Sequence, residues 1–179
     1  MDNHPKKGEN QEMVVKELNR FLQTNLDKCT GCRTCEMVCS LTHAGECNPL
    51  KSRIHVTRMK MKGVMIPVYC KQCVKPPCAK NCPVNAIHHD EKAGMVLIDY
   101  DACIGCKNCI QDCPFGAMTW DTDAERIIKC DLCAGKPQCV KYCIDSALTF
   151  TRFDDAGKPK RNNYTSAVAH SYLSKSKGA

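Results

Sequence analysis

The chain has 179 residues, a formal net charge of +7, and 17 cysteines beside only four Phe, five Tyr and one Trp. Such cysteine density marks a disulfide scaffold or a metal-dense protein; the odd count and the polar start MDNHPKKGENQE, with no apolar h-region or twin arginine, argue against an exported disulfide protein. No apolar stretch approaches the ~18 residues that cross a bilayer. Without cysteine, about a third of the chain is apolar, a thin core for this length. The expectation is a cytoplasmic chain with no direct membrane span, folded largely by its metal.

Residues 1–20 read as an N-terminal extension. Within QEMVVKELNRFL, residues 11–22, Val14, Leu18, Phe21 and Leu22 share one face of a possible amphipathic helix; equally, the segment ends in a strand from Arg20 to Asn25. Four runs of four cysteines follow: Cys29, Cys32, Cys35 and Cys39; Cys70, Cys73, Cys78 and Cys82; Cys103, Cys106, Cys109 and Cys113; Cys130, Cys133, Cys139 and Cys143. Hairpins are predicted between them. Ile54–Met61 pairs with Val64–Val68 around Gly63, Ile87–His89 with Met95–Ile98, and Met118–Trp120 with Arg126–Ile128.

An internal repeat follows the last three runs, CPVNAI, CPFGAM and CIDSAL, and predicts a helical turn after each fourth cysteine. Asp27, Asp101 and Asp131, each close to the first cysteine of a run, read as turn or cap residues. Residues 151–179 form a basic tail that wraps a partner or stays mobile.

The third run, CIGCKNCIQDCP, has the C-x2-C-x2-C-x3-C-P spacing of two-cluster ferredoxins. Three thiolates at i, i+3 and i+6 wrap one face of an iron–sulfur cube, and a fourth followed by proline turns to the cube of a partner run. Zinc sites more often join two C-x2-C pairs across a dozen or more residues. The expected cofactors are therefore [4Fe–4S] clusters, four in number, and the expected role is to carry electrons. Each oxidised cube with its thiolates adds about −2, which turns +7 into about −1 and removes the basis for nucleic-acid binding.

Proline follows the fourth cysteine only in the second and third runs, as Pro83 and Pro114. This pairs the middle runs as an inner module and the outer runs around them. Exchange of fourth ligands then groups Cys70, Cys73, Cys78 with Cys113; Cys103, Cys106, Cys109 with Cys82; Cys29, Cys32, Cys35 with Cys143; and Cys130, Cys133, Cys139 with Cys39. The competing scheme pairs neighbouring runs. The fold class expected is α+β: two nested ferredoxin-like modules of short hairpins and helical turns in a double-ferredoxin domain over 21–150, with the inner module at about 70–118 and the outer at about 21–69 plus 119–150.

With these residues in view, the chain resembles the four-cluster iron–sulfur subunits that serve molybdenum and tungsten pterin oxidoreductases. The segment CTGCRTCEMVCSLTHAGECNPLKSRI, from Cys29 to Ile54, is similar to the small subunits of tungsten enzymes of the aldehyde:ferredoxin oxidoreductase family, among them the ATP-independent benzoyl-CoA reductase. The resemblance implies a hetero-oligomer in which this chain relays single electrons between a large tungsten or molybdenum pterin catalytic subunit and a ferredoxin or flavin-containing partner. A free polyferredoxin and a four-cysteine zinc interaction module are the alternatives.

No nucleophile, acid–base set or phosphate loop stands out, so no catalytic residue is assigned and the chain is not expected to be an enzyme by itself. The wider gaps in the second and fourth runs leave zinc or an incomplete cube open at one site. Cys47 reads as a free thiol. No histidine sits at ligand spacing, while Arg53 and His55 are placed to raise the potential of an outer cluster.

Overall fold

A computed structural model describes residues 20–59, 63–90 and 93–152. Residues 1–19 and 153–179, with most of the extension and the tail, lie outside the described residues.

Four two-stranded antiparallel sheets organise the chain. Strand β1 (Arg20–Thr24) pairs with β8 (Leu148–Arg152), β2 (Ile54–Arg58) with β3 (Met65–Tyr69), β4 (Ile87–Asp90) with β5 (Met95–Ile98), and β6 (Met118–Asp121) with β7 (Arg126–Lys129). Every cysteine run thus lies between an incoming and an outgoing strand. The helices are α1 (Thr34–Ala44), α2 (Pro77–Lys80), α3 (Asn108–Asp112) and α4 (Gln138–Lys141). The architecture is α+β, with α1 packed on α4 and α2 on α3.

Three hairpins fall where the alternation places them. At the N-terminal segment the strand replaces the helix over residues 20–22, because Phe21 and Leu22 pair with Thr151 and Phe150 across the sheet. Strand β8 was not expected; its signal was the repeat itself, since Ala86, Ala117 and Ala147 each directly precede a strand.

The helical turns stand on the other side of the fourth cysteine from where the repeat predicts them. The third cysteine of each run, Cys35, Cys78, Cys109 or Cys139, is the second residue of a helix, and in the last three runs that helix ends before the fourth. A tight turn follows instead: Asn85, Gly116 and Ser146 adopt positive φ and donate their N–H groups to the carbonyls of Cys82, Cys113 and Cys143. In the first run α1 continues five residues past Cys39. A proline after Cys39 would lie inside that helix and break it; Ser40 stands there, fully buried, donating to the Met37 carbonyl and accepting from Asn48 N–H at 3.0 Å.

Two apolar cores result. One gathers Leu22, Ile54, Val56, Tyr69 and Leu148 around Cys35, Cys39, Cys130 and Cys139; the other gathers Ile87, Val96, Met118 and Ile127 around Cys78 and Cys109. Tyr69 ties the ends of the chain to the first core by donating to the Leu22 carbonyl at 2.9 Å. Glu36, buried on α1, accepts the Val56 N–H of β2 and pairs with Arg33 at 3.6 Å.

Isolated two-stranded hairpins are marginal in water, and cysteines supply much of both cores. Complete removal of metal is expected to abolish the cooperative thermal transition of the chain, as read by differential scanning calorimetry.

Candidate metal centres

Four concave cavities of similar size, about 350, 340, 330 and 300 Å³ out to their mouths, open beside the helix starts. The first is walled by Cys103, Cys106, Cys109 and Cys82; the second by Cys29, Cys32, Cys35 and Cys143; the third by Cys70, Cys73, Cys78 and Cys113; the fourth by Cys130, Cys133, Cys139 and Cys39. Three sulfurs of one run therefore meet the fourth of another, across the nested pairs of runs and not across neighbours. The remaining lining is largely apolar: Ile87, Ile98 and Ile127 in the first, Val56, Pro67 and Leu148 in the second, Val96 and Met118 in the third, Ile54 and Leu132 in the fourth.

Local backbone geometry turns the sulfurs inward. In the first and third runs Gly31 and Gly105 precede the second cysteine with φ of +73° and +68°, and Arg33 and Lys107 follow it with φ of 60° and 65°. In the second and fourth, Pro76 and Pro137 cap α2 and α4 and set the longer gap that brings Cys78 and Cys139 to a helix start. Helix-start amides have no partner within the helix. The N–H groups of Glu36, Ala79 and Val140 donate to the Arg33, Pro76 and Pro137 carbonyls and also favour the thiolates of Cys35, Cys78 and Cys139. Behind the fourth cysteines, Ala117 N–H donates to Cys113 Sγ at 3.4 Å and Ala147 N–H to Cys143 Sγ at 3.2 Å. In two of the three repeats the alanine is thus a buried amide donor to sulfur, and its small side chain fits where Ala86, Ala117 and Ala147 are almost wholly buried.

Burial dominates the electrostatics. It pushes the thiols of Cys35 and Cys139 up to about 12 and those of Cys78, Cys109 and Cys133 up to about 11, and it raises Cys130 as well. Cys32 moves the other way, because the Thr34 hydroxyl donates to its sulfur at 3.4 Å. Clustered thiols of this kind become thiolates only with a cation among them, which is the demand a metal cluster meets.

The donor spacing discriminates between metals. A tetrahedral zinc with Zn–S bonds of about 2.3 Å sets its sulfurs about 3.8 Å apart. Among the described residues no three cysteine sulfurs come within 4.8 Å of one another; the one group of three ligand atoms that does is His43, Asp131 and Cys133.

The fourth cavity carries the charged neighbours. Arg53 N–H donates to Cys39 Sγ at 3.3 Å, and the Arg53 guanidinium is paired with Asp131. Burial works to raise the Asp131 carboxyl, but Arg53 and His43 outweigh it and hold it below the usual range. His43 Nε2 lies 3.5 Å from Cys133 Sγ and 3.4 Å from Asp131 Oδ1, and burial lowers its pKa. Sequence spacing gave no sign of this histidine, 90 residues from the cysteine it touches. His55, expected near a cluster, instead meets the Thr119 hydroxyl at 3.0 Å and lines none of the four cavities. The turn role is also redistributed: Asn25 and Asp99 accept the N–H groups of Asp27 and Asp101, while Asp131 itself accepts from Cys133 N–H. Cys47 is exposed and lines none of these cavities.

Comparison with known proteins finds iron–sulfur binding domains along the chain. Residues 61–153 match the 4Fe-4S dicluster domain and residues 26–47 a 4Fe-4S binding domain. The chain belongs to the 4Fe–4S dicluster family of iron–sulfur electron-transfer proteins. It is 42% identical over 120 residues to the polyferredoxin-like subunit of an aliphatic sulfonate oxidoreductase of Pyrococcus furiosus, covering 67% of this chain and 69% of that one. Electron transport protein HydN of Escherichia coli is 36% identical over 154 residues, covering 73% and 87%. A solved active-site complex, BamBC of benzoyl-coenzyme A reductase with benzoyl-CoA, aligns over 74% of this chain and 78% of that one at 26% identity and a TM-score of 0.44. No described helix is long and apolar enough to cross a membrane.

A Cβ at Gly31 would lie 2.5 Å from Met65 Cγ and in a left-handed conformation. Gly31→Ala is expected to cost about 1–2 kcal/mol from the backbone alone, seen as a lower thermal midpoint of the iron-loaded chain.

Proposed function

We propose that each of the four cysteine quartets holds a [4Fe–4S] cluster and that together they form an ordered path for single electrons. The grouping of sulfurs in the four cavities carries this reading, and the contacts between cavities supply the order. Cys35 of the second cavity adds its charge to the rise of Cys139 in the fourth. Gln72, between Cys70 and Cys73, donates to the Cys130 carbonyl at 2.8 Å and so joins the fourth cavity to the third. Cys78 of the third in turn acts on Cys109 of the first. The path runs from the Cys29 quartet through the Cys130 and Cys70 quartets to the Cys103 quartet.

Each cluster supplies a one-electron couple whose potential follows burial, charge and hydrogen bonds to sulfur. The chain's own residues set those terms: apolar walls hold water off, the amides of Ala117 and Ala147 stabilise thiolates, and Arg53 and Asp131 fix a charge pair beside Cys39. The two ends of the path are open, since Cys32 and Cys106 are exposed.

The chain serves as the electron-transfer subunit of a cytoplasmic complex, between a large tungsten or molybdenum pterin catalytic subunit and a ferredoxin or flavin-containing partner. Anaerobic aldehyde or benzoyl-CoA metabolism is the setting that the 29–54 segment favours. The relative named as a polyferredoxin-like subunit of an oxidoreductase supports a subunit over a free carrier. Purification with a tungsten- or molybdenum-bearing chain tests the partner; recovery only as a free monomer would reject it.

Metal and sulfide analysis is expected to give about sixteen iron and no zinc per chain; twelve iron with one zinc would replace one cube. Replacing Arg53 with Gln should lower the potential of one cluster, because it removes a cation and leaves Asp131 unbalanced, whereas Arg53→Gln with Asp131→Asn should return it near the wild-type value. Redox titration followed by electron paramagnetic resonance reads both.

A further inference from the structure

A buried lysine beside Cys130 of the fourth cavity has no carboxylate partner among the described residues. Lys129 ends β7 opposite Met118 and is only 5% exposed. Its Nζ donates to the Cys130 carbonyl at 3.2 Å, and among the described residues it forms no ion pair. Other cations near these cavities have contacts of their own: Arg33 pairs with Glu36, Arg53 with Asp131, and Arg126 lies over the Tyr100 ring. One carbonyl does not offset the burial of an ammonium. The opposite charge it meets is on sulfur: Lys129 favours the thiolate of Cys70, in the neighbouring cavity, and reaches Asp131 only after Arg53 and His43.

Its position is fixed. The Cys130 carbonyl that accepts from Lys129 also accepts from Gln72, whose Oε1 takes the Val96 N–H at 2.9 Å. Lys71 lines the third cavity at the same junction, but it is exposed to solvent, with Nζ 3.8 Å from the Tyr69 ring centroid.

We propose that Lys129 is a positioning residue, the buried counter-charge shared by the two central clusters, and that it raises both their potentials relative to the clusters at the ends of the path. This rests on the reading that the Cys70 and Cys130 quartets hold cubes. One electron from a chemical donor such as dithionite takes a cube with its four thiolates from about −2 to about −3. A fixed cation stabilises the −3 form more, so reduction becomes easier at the two clusters it touches.

The test compares Lys129→Gln, which keeps a donor to the Cys130 carbonyl without the charge, Lys129→Met and Lys129→Arg in the full chain with its partner. Iron is counted and each cluster titrated with dithionite under electron paramagnetic resonance. In Lys129→Gln and Lys129→Met, two of the four clusters should move to lower potential, by about tenfold in the oxidised-to-reduced ratio at fixed potential, or 59 mV for a one-electron couple. Lys129→Arg should stay near wild type, and the other two clusters should not move. Unchanged midpoints at full iron content, an equal shift of all four, or an arginine variant that behaves like glutamine would overturn the proposal. Loss of iron from both neutral variants but not from Lys129→Arg would also overturn it, in favour of a purely structural lysine. Wild-type protein without four cubes would instead overturn the cluster reading itself.

Discussion

Buried sulfur is the constraint from which the rest of this structure follows. A thiol drawn out of water resists ionisation, and here the third cysteine of every run is buried at a helix start. The chain answers with short-range donors and a cation within the walls: helix-start amides, the amides of Ala117 and Ala147, and Arg53. The basic excess that would otherwise suggest a phosphate-binding surface is in part an interior charge, and its location is as informative as its sum.

One local unit is used four times. A strand delivers the chain, a loop with left-handed residues presents two sulfurs, a helix start presents the third, a turn presents the fourth, and another strand leaves. Two versions exist, a compact one with glycine before the second cysteine and a longer one entered through proline. Each module combines one of each, in opposite order along the chain, so the outer module is the inner one with its connection cut and its free ends paired as β1 and β8. The two charged residues beside Cys39, Arg53 and Asp131, come from opposite versions of the unit and have no counterpart in the inner module.

Much of this was legible in residue spacing. Period-two alternation located three hairpins, though the first strand of the earliest stops at Arg58 where Met61 was expected, with residues 60–61 outside the described residues, and cysteine spacing with the two prolines pointed to the combinations of runs that wall the cavities. What spacing could not carry was the order of events around each fourth cysteine, because a helix of four residues leaves no periodicity to detect. Ser40 in place of proline was read as a mark of a different module; physically it marks a helix that continues. His43 was invisible because its partners lie some 90 residues away, and contacts at that range depend on the packing of α1 against α4, not on local pattern. His55 shows the reverse: nearness to Arg53 in sequence suggested a shared environment, yet Arg53 precedes β2 and turns its guanidinium to Asp131, while His55 within the strand meets Thr119.

The closure of β1 on β8 also imposes a sequence on assembly. As the chain leaves the ribosome from its N-terminus, the walls of both inner cavities are complete once Ile127 has emerged, since they draw only on residues from Cys70 to Ile127. The outer cavities stay open until the last run arrives: the Thr30 hydroxyl meets Asp145 across 115 residues. Joining such distant segments carries the larger loop-closure cost. For that interval Cys29, Cys32 and Cys35 wait without their fourth neighbour, a window in which a cell must either shield three thiols from oxidation or deliver iron late.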